Sequence, residues 1–116
     1  MKILIRMPNW IGDAVMATPA LENIKTKYPN STIVIVSSKA VEDLFRFDPS
    51  IKEVVVDDSK KAKVRVAGIK KITDYLVENY EYFDIGITFQ NNFASALLLS
   101  LSNVDRRIGT SSGVRN

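Results

Sequence analysis

Cysteine and histidine are both absent from the 116 residues. The first absence removes disulfides, thiolate nucleophiles and cysteine metal sites, and fits a reducing compartment. The second excludes histidine triads and histidine metal sites, so proton transfer near neutral pH falls to Asp, Glu, Lys or Tyr. Glycine is sparse, and neither G-x-G-x-x-G nor a P-loop occurs, which argues against a nucleotide in the first loop. Apolar runs such as Ala96 to Leu99 fall far short of the roughly 20 residues of a membrane span. No basic, apolar, small-residue leader opens the chain, so the expected location is the cytosol, with contact to a membrane surface left open. No internal repeat or low-complexity segment stands out.

What is present suits one packed domain over residues 1–116: 46% hydrophobic, 25% charged, formal net charge +3. Lys2 to Met7 reads as a strand buried on both faces, followed by the turn-forming Pro8-Asn9-Trp10-Ile11-Gly12 and a helical segment from Asp13 to about Tyr28. Pro19 falls inside that segment, which predicts a kink or a restart with Thr18 as cap. Further strands are expected at Thr32–Ser37, Ile51–Val56 and Asp84–Phe89. Helices are expected at Ala40–Phe47, Ile69–Tyr80 and Phe93–Leu101, with a basic loop before the second of these. Arg107-Ile108-Gly109 would begin a fifth strand, and Thr110 to Asn116 is polar with nothing to complete it. Strands alternating with helices predict an α/β fold, an open parallel sheet with helices on both faces. Ligands bind such sheets beyond the carboxyl ends of the strands, which directs attention to loops 8–13, 37–40, 57–65 and 90–93.

Three constellations lie in those loops. Asp13 follows Gly12, whose lack of a side chain lets the chain turn closely, and a carboxylate at a helix start is held in its ionised form by backbone N–H groups and the helix dipole. It either caps the helix or accepts a proton from a bound hydroxyl, and the two roles are compatible. Trp10, the sole tryptophan, either stacks on a sugar or covers the sheet edge. Lys60, Lys61, Lys63, Arg65, Lys70 and Lys71 form a stretch without an acid, either a solvated loop or an attractor for a phosphorylated or carboxylated glycan, a phospholipid surface or nucleic acid. The lack of interleaved aromatics argues against single-stranded nucleic acid. Gln90-Asn91-Asn92 offers more amides than one cap requires, so Asn92 is assigned to capping, and Gln90 and Asn91 to binding.

Ile3-Leu4-Ile5, Pro8-Asn9-Trp10-Ile11-Gly12-Asp13, Met16-Ala17-Thr18-Pro19-Ala20-Leu21 and Tyr28-Pro29 together resemble the bacterial ADP-heptose:lipopolysaccharide heptosyltransferases, nearest their heptosyltransferase II branch. Tyr82-Phe83-Asp84, Gln90-Asn91-Asn92-Phe93, Ser95-Ala96 and Arg107-Ile108-Gly109 extend the resemblance over essentially the whole chain. It implies a GT-B architecture of two Rossmann-like domains facing across a cleft, with no essential metal and no cofactor. The amino-terminal domain would hold the lipopolysaccharide inner-core acceptor, and a carboxy-terminal domain the ADP-heptose donor. By that resemblance Asp13 is the general base of an inverting transfer, and Asn9, Trp10, Gly12, Lys60, Lys61, Lys63, Arg65, Gln90 and Asn91 are acceptor-side residues. The implied place of work is the cytoplasmic face of the inner membrane, peripherally, with no nucleic-acid partner.

Family members have two domains, and this sequence stops inside the pattern after Arg107-Ile108-Gly109. The expectation is therefore a truncated amino-terminal domain, inactive alone. The competing reading is a complete flavodoxin-like binding or signalling domain. It is weakened because Arg6-Met7 supplies no acid pair for a phosphoacceptor, and because Pro8 to Gly12 is not the Ser-, Thr- and Gly-rich loop that cradles a flavin phosphate.

Overall fold

A computed structural model describes residues 1–90 and 92–109. Asn91 and the polar run 110–116, both read from the sequence above, lie outside the described residues. The strands are β1 (Lys2–Arg6), β2 (Thr32–Ser37), β3 (Ile51–Val56), β4 (Phe83–Thr88) and β5 (Val104–Gly109). The helices are α1 (Ile11–Met16), α2 (Thr18–Lys27), α3 (Lys39–Phe45), α4 (Arg65–Tyr80) and α5 (Phe93–Leu101), with a 3-10 turn at Ser59–Lys61. All strand pairings are parallel, in the order β3-β2-β1-β4-β5. Order reverses between β1 and β4, so their carboxyl ends flank the crevice where doubly wound sheets bind ligands.

Alternation along the strands builds two cores. Ile3 and Ile5 are in register with Ile33 and Ile35 on one side and Ile85 and Ile87 on the other. All six are buried with Ala14, Ala17 and Leu21 of the first two helices and Val41 and Phe45 of α3. Leu4, Val34 and Val36 form the opposite layer with Ile69, Ile72, Leu76 and Tyr80 of α4 and Leu98 and Leu99 of α5. The expected open parallel sheet, covered on both faces, is the observed one.

Several strand and helix ends shift by a residue or two, and four differences from the sequence reading have a physical reason. The first helical segment starts at Ile11 and divides at Ala17, whose N–H still bonds to the Asp13 and Ala14 carbonyls. Ala17, not Thr18, occupies the junction. Pro19 has no N–H for the Val15 carbonyl, and the Thr18 hydroxyl donates to that carbonyl instead at 2.7 Å, so Thr18 mends the break rather than capping it. The basic stretch is not a loop. Lys60 and Lys61 lie in the 3-10 turn, Lys63 in the short link after it, and Arg65, Lys70 and Lys71 in the first two turns of α4, which begins at Arg65 rather than Ile69. Gly68 makes this packing possible, since a Cβ there would meet Ser59 Cα and Cβ and Ala62 Cβ, each at 3.0 Å. Finally, Arg107-Ile108-Gly109 ends β5 and does not begin it: the strand pairs with β4 from Val104 to Gly109.

Candidate functional site

The carboxyl ends of β1, β2, β3 and β4 meet around one buried side chain that the sequence reading passed over. Arg6, the last residue of β1, is 3% exposed. Its Nη1 donates to the Met7 carbonyl at 2.8 Å, and its Nη2 to Asn9 Oδ1 at 2.8 Å and Asp57 Oδ2 at 3.1 Å. The Asp57 side chain, just past β3, is 7% exposed, and its second oxygen accepts the Ser59 N–H at 2.9 Å, fixing the 3-10 turn. Burial pulls the Arg6 guanidinium below its ordinary pKa, the Asp57 carboxylate opposes that, and the nearby Arg65 adds to it. Arginine remains charged nonetheless, and its partner is what makes its burial tolerable.

The Pro8-Asn9-Trp10 loop is tied at two further points. Asn9 N–H donates to Gln90 Oε1 at 2.8 Å, across the point where strand order reverses. The Asn9 carbonyl accepts the Ser38 hydroxyl at 2.8 Å. Gln90 is itself seated, because its N–H donates to Thr88 Oγ1 and its carbonyl accepts from the same hydroxyl. Hence Asn9 Oδ1 and Gln90 Oε1, expected to face a ligand, spend their acceptor capacity on the loop, and only their amide nitrogens are uncommitted among the described residues.

Trp10 stands at the amino end of α1 with 73% of its surface exposed, so it covers no sheet edge. Asp13 is the third residue of α1, not its cap, and is exposed. Among the described residues its carboxylate has no hydrogen bond or ion pair, so the capping reading falls. Gly12 sits inside the helix without a positive φ, and a Cβ there would meet nothing within 4 Å. A tight turn is therefore not its reason; it leaves open surface beside Asp13.

A cavity of about 290 Å³ opens beside this loop, lined by Arg6, Asn9, Trp10, Ser38, Lys39, Ala40, Asp57, Lys60 and Arg65. With Arg6 neutralised by Asp57, its free positive charge comes from Lys60 and Arg65, joined by Lys39, whose ammonium also meets Glu42 at 3.0 Å. Arg65 borders a second cavity of about 250 Å³ with Asn92 and the exposed Phe93, and its Nε is buried and, among the described residues, without a partner. The basic stretch is thus divided. Lys61 and Lys71 line a separate cavity of about 420 Å³ with Asp58, Ser59 and Tyr75, Lys63 is exposed outside all three, and Lys70 pairs with Asp74 at 2.9 Å. Asn92 caps α5 as expected, its Oδ1 accepting the Ser95 N–H at 2.8 Å. Lys39 and the Arg6–Asp57 pair were missed because nothing local in the sequence marks them.

No protein-family model matches the chain. Lipooligosaccharide heptosyltransferase 2 of Campylobacter jejuni is 30% identical over 107 residues, 92% of this chain and 31% of that protein. The chain is a homologue of the heptosyltransferases. Among solved structures, a glycosyl transferase family 9 protein from Veillonella parvula superposes with a TM-score of 0.85 at 22% identity, over 94% of this chain and 31% of that one. The ADP-heptose lps heptosyltransferase II of Escherichia coli gives 0.76 at 23%, over 99% and 32%. These two likenesses establish a shared fold. The chain spans about a third of the length of the relatives it matches. No helix among its described residues is long and apolar enough to cross a membrane.

Proposed function

We propose that this chain is the amino-terminal, acceptor-side domain of an inverting heptosyltransferase that moves heptose from ADP-heptose to the inner core of lipopolysaccharide. The single observation that carries the assignment of the base is Asp13: an exposed carboxylate in the first turn of α1, unpartnered among the described residues, beside the bare surface of Gly12 and just past the reversal of strand order. In the proposed reaction this carboxylate takes the proton of an acceptor hydroxyl. The oxygen then forms a bond to the anomeric carbon of the heptose from the face opposite the nucleotide, the bond from that carbon to the diphosphate breaks, and ADP departs, leaving the anomeric configuration inverted. The donor is held by protein outside this sequence, so the chain alone is expected to have no turnover.

The acceptor's acidic groups would meet Lys39, Lys60 and Arg65 around the cavity beside Trp10, whose exposed ring offers an apolar face to a sugar. Lys61 and Lys63 would contribute only at longer range. Such an enzyme works on the cytoplasmic side of the inner membrane, touching it peripherally through a lipid-anchored acceptor. The test is turnover of ADP-heptose by the intact protein carrying Asp13→Ala or Asp13→Asn. Losing a general base costs about 10²- to 10⁴-fold in rate. Near-parental turnover in either variant sinks the assignment.

A further inference from the structure

Four loops converge on the proposed site, and one charged side chain touches two of them and the strand that lies between. Arg6 Nη2 bonds to Asn9 on the loop after β1 and to Asp57 on the turn after β3, while Nη1 bonds to Met7 and lies 3.4 Å from the carbonyl of Val36 in β2. β2 separates β1 from β3 in the sheet, so Arg6 spans the end of an intervening strand to make this link. We propose that Arg6 is a positioning residue, which locks the Pro8-to-Trp10 loop and the turn carrying Lys60 into one rigid frame, so that Trp10, Asp13 and Lys60 are preset before any ligand arrives.

Three observations carry the proposal. The guanidinium is almost wholly buried, so it serves the frame rather than solvent. Asp57 divides its two oxygens between Arg6 and the Ser59 N–H, so one carboxylate fixes both the arginine and the turn that begins the basic stretch. Asn9 is the residue through which the loop is held: its N–H, carbonyl and side-chain oxygen each have a different partner, on β4's loop, on the loop before α3 and on β1 respectively. Of these only the Arg6 bond is charge-assisted, and such bonds are roughly twice as strong as neutral ones. Preorganisation of this kind is valuable in catalysis because a misplacement of about 1 Å can cost about 10²-fold in rate.

The sole tryptophan is the next residue after Asn9, which gives the loop a built-in reporter. Time-resolved fluorescence anisotropy of Trp10 in the ligand-free chain tests the lock without relying on any enzymatic reading. Asn9→Ala removes the acceptor on the loop and leaves the Arg6–Asp57 pair intact. Asn9→Asp keeps an acceptor for the guanidinium. The expected result is a larger fast component, on the nanosecond scale at which loops begin to move, in Asn9→Ala, and a parental decay in Asn9→Asp. Replacing the pair together, Arg6→Met with Asp57→Leu, buries no unpaired charge and is expected to loosen Trp10 in the same way. A parental decay in Asn9→Ala overturns the proposal even if the double variant fails to fold.

The functional half of the proposal rests on the reading above. In the intact protein, turnover is expected to fall by about 10²-fold in Asn9→Ala and to recover in Asn9→Asp. Loosened anisotropy with parental turnover would show the lock to be structural and remove its positioning role. Retained turnover in Asp13→Ala would instead remove the base and leave the lock standing.

Discussion

Asp57 is where stability and site geometry meet in one residue. Its carboxylate compensates a buried guanidinium and also receives the Ser59 N–H. Asp57→Ala leaves Arg6 charged, buried and unpaired, and breaking such a pair costs about 3–5 kcal/mol. Asp57→Asn retains an oxygen for Ser59 or for Arg6 and is expected to cost less. Urea unfolding of the two variants measures this as a drop in midpoint at constant slope, larger for alanine. An alanine variant within about 0.5 kcal/mol of the parent, the usual range for an ordinary surface change, would refute the account. The sequence contains no signal for this pair. Arg6 and Asp57 are 51 positions apart and meet only because β3 folds back beside β2. Asp57 was visible merely as an acid following a strand, while Asp13, Trp10 and Lys60 were legible because loop position follows from the strand pattern. Which lysines point to which cavity was not legible, since that depends on the 3-10 turn and the start of α4.

Element boundaries show which physical signals a sequence carries weakly. Four strands announced themselves through β-branched and apolar runs, whereas β5, with Asp105, Arg106 and Arg107 in succession, was legible only at its end. α4 hid its first turn because Gly68 is a poor helix former and the apolar spacing becomes regular only from Ile69. Tertiary packing overrides that deficit, with the missing Cβ of Gly68 allowing the helix against Ser59 and Ala62. The same logic separates two other glycines. A Cβ at Gly86 would lie 2.7 Å from Val104 Cγ1 on β5 and 3.2 Å from Leu99 Cδ2 on α5, whereas at Gly12 it would meet nothing. Gly86→Ala is expected to destabilise by about 1–3 kcal/mol through overpacking. Gly12→Ala is helical, sterically free and expected to stabilise by about 0.4–1 kcal/mol through the unfolded chain. Opposite shifts in Tm for one chemical change check both; a matching sign would show that backbone environment does not govern them.

At the scale of the whole molecule, the chain is held across its surface by polar ties whose protonation sets a pH window. Lys25 of α2 contacts Glu22 and also reaches Asp48 in the loop before β3, and Ser50 N–H donates to Asp48. Burial would raise the Asp48 pKa, but the hydrogen bond from Lys25, the Ser50 N–H and the Lys25 charge outweigh it and hold the carboxyl below its usual range. Lys25 is raised in turn, burial again being outweighed by Asp48 and Glu22. On the other face Glu53 accepts hydrogen bonds from Tyr75 and Tyr80. The Tyr75 pKa is pushed up chiefly by that bond, and the Tyr80 pKa chiefly by burial and then by the same carboxylate. A depressed Asp48 adds stability above the unfolded carboxyl value of about 3.9, and this is lost as pH falls through its lower folded value. Raised Lys25 and tyrosine values add stability below unfolded values of about 10.4 and 10, lost as pH rises through their higher folded ones. Asp48→Asn should therefore flatten the acid limb of a Tm-against-pH profile below about pH 4 and also weaken the alkaline limb, because Lys25 loses a partner. Tyr80→Phe should alter the alkaline limb alone. Each partly exposed tie is worth at most about 1 kcal/mol, so the limbs should shift rather than vanish. An Asp48→Asn profile parallel to the parent at every pH would mean that the tie between α2 and the loop before β3 contributes nothing in solution.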